Sequence, residues 1–192
     1  MLILEDVSMD ESAAVAASQD GDRDAFGVLV DRYYKNLYRY AYECTANHHD
    51  ADDLCQETFV RAFDRIGTLK DGTRFRAWLF SIALNLIRRH WQRTSKAKKM
   101  TSDTTMLNTH DAGDDHQGGP FGRLHTTEQA DIVHQTIANL PDHWRQPVVL
   151  IWLEGFNQKQ AAGILGISEA SISRHLEAAH CFLKTQLREL VA

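Results

Sequence analysis

The sequence predicts an all-α protein: two small helical domains, an N-terminal helical bundle and a C-terminal helix-turn-helix domain, joined by a flexible linker. Three observations carry this. Apolar residues recur at helical spacing through most of the 192 residues. No stretch shows the alternation of a strand. Residues 100–126, "MTSDTTMLNTHDAGDDHQGGPFGRLHT", carry Gly, Asp, Thr and Asn with no apolar period, as a tether does. The expected division is therefore 1–99, 100–126 and 127–192.

Each element follows in order. "SMDESAAVAASQDG" reads as a short helix closed by Gly21. Residues 22–46 place Phe26, Leu29, Val30, Tyr33, Leu37, Tyr40, Ala41 and Cys44 on one helical face. Residues 50–66 repeat the pattern with Leu54, Cys55, Thr58, Phe59, Ala62, Phe63 and Ile66. "GTLKDGT" reads as a loop. "RFRAWLFSIALNLIRRHWQR" is a long apolar helix that turns basic at its end. After the tether, "LPDHWRQPVVLIWLEGF" predicts a turn and a helix, with Pro147 near a helix start because proline is costly inside one.

Residues 157–176, "NQKQAAGILGISEASISRHL", predict a helix-turn-helix. Small Ala162 allows two helices to cross closely. Gly166 supplies positive φ in the turn. Ser168 caps the second helix, and Ile172 pins it to the first. That second helix offers Ser171, Ser173, Arg174 and His175 to a major groove. Only one of the four is a full cation, so phosphate affinity from this segment alone is weak.

Charge is sorted along the chain. The net charge is −5, with 21 Lys and Arg against 26 Asp and Glu. Residues 1–73 hold 7 and 15, a balance of −8. Residues 74–99 hold 8 and none, a balance of +8. Residues 100–192 hold 6 and 11, a balance of −5. A confined basic stripe is the footprint of a polyanion partner. The start, "MLILEDVSMDES", has no basic region and no long apolar core, so it is not read as a secretory signal, and a cytoplasmic location is expected. Cys44, Cys55 and Cys181 form no CxxC pair, which argues against a disulfide framework or a cysteine zinc site. GxSxG and Walker-type phosphate loops are absent, so no catalytic chemistry and no cofactor are expected.

"HDADDLCQETF" at 49–59 crowds four carboxylates, a Gln and a His. On a helix His49, Asp53 and Glu57 share one face, and Asp52 and Gln56 line the next strip. Three readings suit such a face: a metal site, a solvated surface, or a docking surface for another protein. A carboxylate metal site needs a second ligand set on another helix, and the first domain offers none.

Motifs and order together resemble the ECF (extracytoplasmic function) sigma factors, the compact two-domain branch of the sigma-70 family of bacterial RNA polymerase. "DADDLCQETFVRAF" resembles their core-polymerase docking helix. "FRAWLFSIALNLIRRHWQR" resembles their −10 recognition helix, at the Trp78 and Asn85 positions among others. "LPDHWRQPVVLIWLEGFNQKQAAGILGISEASISRHL" resembles their −35-binding domain. The resemblance spans about residues 10–99 and 127–190. It departs at the recognition helix, where the family often has Gly-Thr-Val followed by basic residues and this chain has Ala170-Ser171-Ile172-Ser173-Arg174-His175.

The resemblance implies a sigma subunit that directs core polymerase to specific promoters and helps open their −10 region; the alternative is a stand-alone helix-turn-helix transcriptional regulator. It implies docking of Asp50, Asp52, Asp53, Gln56 and Glu57 on the β′ clamp coiled coil of the polymerase core, with the β flap as a second contact. It places Asn85 near −10 bases and Arg88, Arg89, Arg93 and Lys96 on phosphates. The loop Thr68–Arg74, with Lys70, forms a pocket for a flipped base. Ser171, Ser173, Arg174 and His175 face the −35 element. An anti-sigma factor is the expected regulator. Charge attraction between the basic stripe and the acidic second domain is expected to be too screened to close the two domains on each other, since the Debye length is about 8 Å.

Overall fold

A computed structural model describes the backbone over residues 9–101 and 136–191, and side chains over 9–95 and 136–186. The expected tether, 100–126, falls almost wholly outside the described residues, and so does the Lys96 side chain. The described residues are helical, with no strand among them.

The first unit is a bundle of α1 (Glu11–Gln19), α2 (Arg23–Thr45), α3 (His48–Arg65) and α4 (Phe75–Thr101). Local chemistry sets the boundaries. The Asp22 carboxylate accepts from Asp24 N and Ala25 N and starts α2, and the Asn47 amide oxygen accepts from Asp50 N and starts α3. Between these helices Ala46 takes a left-handed φ of 51° and turns the chain. Leu29, Leu37, Tyr40, Phe75, Leu79, Phe80, Leu84, Leu86 and Ile87 are fully buried, so α2 and α4 supply the centre of the bundle. Phe26 meets Phe59 and Phe63 edge-on, and Tyr40 packs on Phe80 at 5.3 Å. The Gln19 amide donates to the carbonyls of Ile66 and Leu69, which ties α1 to the segment before α4. That segment, expected as a plain loop, contains two 3-10 turns, Ile66–Thr68 and Gly72–Arg74. Asp71 caps the second turn through Thr73, and this hydrogen bond holds its carboxyl below the ordinary range.

The second unit is α5 (Asp142–Val148), a π-helical turn (Val149–Leu153), α6 (Gln158–Leu165) and α7 (Glu169–Val191). Pro147 is not near the helix start; it lies inside α5, one residue before its end. Proline cannot donate the i−4 bond, and the helix widens at once, with Glu154 N donating to Val149 O across five residues. Burial of Pro147, Val148, Val149 and Leu150 outweighs the local cost. The helix-turn-helix forms as expected. Asn157 and Gln160 make a reciprocal capping box. Gly166 has φ 71°, and its N–H donates to Ala162 O. Ser168 Oγ accepts from Ser171 N, and Ile172 is fully buried.

The two units pack directly against each other. α6 lies on α4, and Phe156 meets Phe80 edge-on at 5.0 Å. Polar ties cross the same boundary: Arg39 and Asn36 reach Glu154, Arg88 reaches the carbonyl of Leu165, and Arg145 reaches the carbonyl of Cys44 at 3.4 Å. The expectation that charge is too screened to close the units holds for charges separated by water. It does not cover a contact from which water is excluded.

Candidate functional site

Three surfaces gather the residues singled out in the sequence. The first is the outer side of α3. Its N-cap fixes the register, and the 3.6-residue period then presents His49, Asp53, Gln56 and Glu57 outward. His49 and Asp53, 82% and 65% exposed in their side chains, pair at 3.1 Å. Glu57 pairs with Arg61 at 2.5 Å. The other two acids turn inward. Asp50 approaches His90 of α4 at 3.5 Å. Asp52 accepts from Tyr34 Oη at 2.5 Å and from Gln56 Nε2 at 3.0 Å. Burial, then the bond to Asp52, pushes the Tyr34 phenol well above its ordinary value. Asp50 and Asp52 therefore anchor α3 to its neighbours, and Asp53, Gln56 and Glu57 form the free edge. Among the described residues no group of three or more His, Cys, Asp and Glu could hold a metal ion.

Two features of this face went unnoticed in the sequence. Val60, 61% exposed, stands one turn beyond Gln56. Its place outside the apolar register of Phe59, Ala62 and Phe63 was the available signal. Tyr34, Tyr38 and Tyr42, spaced four apart on α2, stack in a row that ends on His48, with Tyr38 Oη 2.7 Å from His48 Nδ1.

The second surface runs along α4. Asn85, Arg88, Arg89 and Arg93 are all exposed, so Asn85 meets solvent in spite of its apolar helix. Asn85, Arg89 and Arg93 fall at i, i+4 and i+8 on one strip. Beside it is a shallow pocket of about 380 Å³ lined by Arg88, Trp91, Gln92 and Ser95. Thr68, Lys70 and Arg74 are exposed on the segment before α4. Arg74 and Asn85 are separated by about 16 Å of helix axis at 1.5 Å per residue, so loop and strip are two patches of one stripe. Trp78 is half-buried, packed on Phe75 at 5.9 Å.

The third surface is the start of α7. Arg174 is exposed and donates to Ser171 Oγ at 3.2 Å; Ser173 bonds Gln158 Oε1 at 3.2 Å. His175 turns back towards α5, its ring edge-on to His143 at 5.6 Å. Burial, then His143 and Arg174, lowers its pKa and favours the neutral ring.

A helical bundle with an exposed acidic edge and a basic helix, followed by a helix-turn-helix, is the build of a class of transcription proteins that join DNA to another protein. Comparison with known proteins narrows the class. The sigma-70 region 2 family matches residues 29–97. The ECF RNA polymerase sigma factor SigM of Bacillus subtilis is 30% identical over 156 residues, 81% of this chain and 91% of SigM. The ECF RNA polymerase sigma factor BldN of Streptomyces coelicolor is 32% identical over 159 residues, 82% of this chain and 58% of BldN. The solved structure of CnrH, a sigma factor of Cupriavidus metallidurans, in complex with the cytosolic domain of CnrY is similar with a TM-score of 0.67 at 26% identity, covering 93% of this chain and 97% of that one. The chain belongs to the ECF sigma factors of the sigma-70 family.

Proposed function

We propose that this chain is a non-catalytic sigma subunit that directs core RNA polymerase to particular promoters and helps open their −10 region. The observation that carries the reading is the division of charge within one bundle: an acidic edge on α3 and an acid-free basic stripe over residues 74–99. A stand-alone helix-turn-helix regulator has no use for either. Asp53, Gln56 and Glu57, held in place by Asp50 and Asp52, dock on the β′ clamp coiled coil, and the second unit meets the β flap. Carboxylates on a polar interface steer association and fix register. Asn85 reads −10 bases, while Arg88, Arg89, Arg93 and Lys96 contact phosphates. Thr68, Lys70 and Arg74 hold an extruded base. Ser171, Ser173 and Arg174 face the −35 element, with His175 supporting from behind. A subunit of polymerase acts where polymerase acts, in the cytoplasm. CnrH was solved with a second protein bound; a protein partner of the anti-sigma kind is the corresponding regulator here.

The test is run-off transcription from genomic fragments with core polymerase, with and without the chain. Discrete start sites that depend on the chain are expected. Specific shifts of duplex promoter DNA by the chain alone, with no effect of core polymerase, would instead establish the stand-alone regulator.

A further inference from the structure

Glu154 has no part in the surfaces above, yet it has an unusual environment. It sits at the end of the π-helical turn, and its side chain is 0% exposed. Its described side-chain partners all come from the first unit. Asn36 Nδ2 donates to Oε2 at 2.9 Å, Arg39 Nε donates to Oε1 at 2.8 Å, and Arg76 lies 3.6 Å from Oε2. The main chain joins in: Arg39 donates to Leu153 O at 2.8 Å, and Arg76 donates to Glu154 O. Gly155, at φ 69°, reverses the chain so that Phe156 follows Glu154 onto the first unit. Arg76 then covers the Phe156 ring at 4.1 Å.

Such an arrangement behaves as a catch more than as glue. A buried ion pair gains little over an apolar contact, because desolvation offsets attraction. Removal of a member, however, leaves buried charge with fewer compensating partners, which is unfavourable. Closure therefore depends on each member of the cluster. Closure also has a consequence on α4. Arg88 donates to Leu165 O at 3.0 Å, at the C-terminus of α6, where a cation satisfies an unpaired carbonyl and the helix dipole. An Arg88 held there has one end of its guanidinium committed to Leu165 O, and a phosphate must compete with that carbonyl for it. α3 is unaffected: it packs on α2 and α4 and its acidic edge stays exposed.

We propose that Glu154, seated in the Asn36–Arg39–Arg76 cluster, is a latch that holds the free chain closed and withholds Arg88 from DNA while leaving α3 open to polymerase. Docking then precedes unlatching, and any partner that competes for the cluster controls the step. The proposal rests on the reading of α4 as a DNA-contacting helix.

The test uses the full chain, with dyes on exposed Cys181 and on a D64C substitution, since Cys44 and Cys55 are buried. Arg39→Ala and Glu154→Gln are compared with the parent. Arg39 is 38% exposed, so its truncation spares the core of the first unit. Both variants should lower energy transfer and tighten binding of a short fluorescein-labelled single strand of mixed sequence by about tenfold or more, as the open fraction rises. Affinity for core polymerase should not fall, because the acidic edge of α3 is exposed in both forms and the open form is the one that polymerase holds. Unchanged energy transfer in Arg39→Ala, with circular dichroism intact, overturns the latch. Opening without a gain in strand affinity overturns the masking of Arg88. Failure of the DNA reading shows separately: an Arg88→Ala holoenzyme that opens promoters like the parent removes the −10 role, whereas energy transfer is read without DNA.

Discussion

Charge reversal at Asp53 probes the acidic edge of α3 with little collateral damage. The Asp53 side chain is 65% exposed, and its described partner is His49, itself 82% exposed. Exposed pairs of this kind contribute about 0–1 kcal/mol. Asp53 also lies beyond the first turn of α3, where the helix dipole has faded. Asp53→Lys should therefore cost the fold less than ~1 kcal/mol. At a docked interface the balance is different. Two opposite charges about 4 Å apart attract by ~4 kcal/mol at the effective dielectric of a protein surface, before desolvation is subtracted. Coupling energies for close interfacial pairs start near ~1.5 kcal/mol, about tenfold in affinity. Reversal replaces attraction by repulsion, so a loss of about 10- to 100-fold is expected. Anisotropy titration of the labelled chain with core polymerase reads it directly. The effect should fall mainly on the association rate and shrink as salt is raised. An affinity within about twofold of the parent at low salt, with an unchanged melting temperature, refutes the docking assignment.

Two further outcomes concern the second unit. The His175 ring should titrate below the ordinary histidine value of about 6.5 in an NMR titration, and His143→Gln should move it upward by removing a neighbouring imidazole. In the window between the lowered folded value and 6.5 the unfolded state binds more protons, so stability rises with pH and is lost as pH falls through it; a midpoint above 6.5 contradicts the geometry. Ile172→Ala removes a fully buried side chain that joins α7 to α6 and should lower stability to urea by about 2–5 kcal/mol; an unchanged midpoint would mean that Ile172 does not pin the two helices.

How much was legible in the sequence depends on how far each residue's partners lie along the chain. Helix periodicity is local, and residues 22–46 and 50–66 became Arg23–Thr45 and His48–Arg65. The turn chemistry of Gly166 and Ser168 is equally local, and both act as their residue types require. Pro147 was misplaced because packing of its neighbours overrode its local preference. On α3 the period and the resemblance together singled out Asp50, Asp52, Asp53, Gln56 and Glu57, but could not separate Asp50 and Asp52 from the rest. Their partners, His90 and Tyr34, belong to other helices. Glu154 is the extreme case. In "LEGF" it reads as one more solvated acid beside a turn glycine. The groups that bury it lie 115 and 118 residues earlier.

The same distance explains why long-range charge was the wrong measure of closure. Screening at about 8 Å governs the pull between a basic stripe and an acidic unit across water. It has no hold on a carboxylate at 2.8–2.9 Å from its donors with the solvent removed. Net charge of the two units sets how fast they meet. The fit of one side chain into one cluster sets whether they stay together. Two relatives with the same charge balance can therefore differ in closure if one lacks an acid at this position. A Glu154 variant should likewise change closure without changing the stripe on α4. The strip's own affinity for DNA, measured in the open form, should then be the same with and without Glu154.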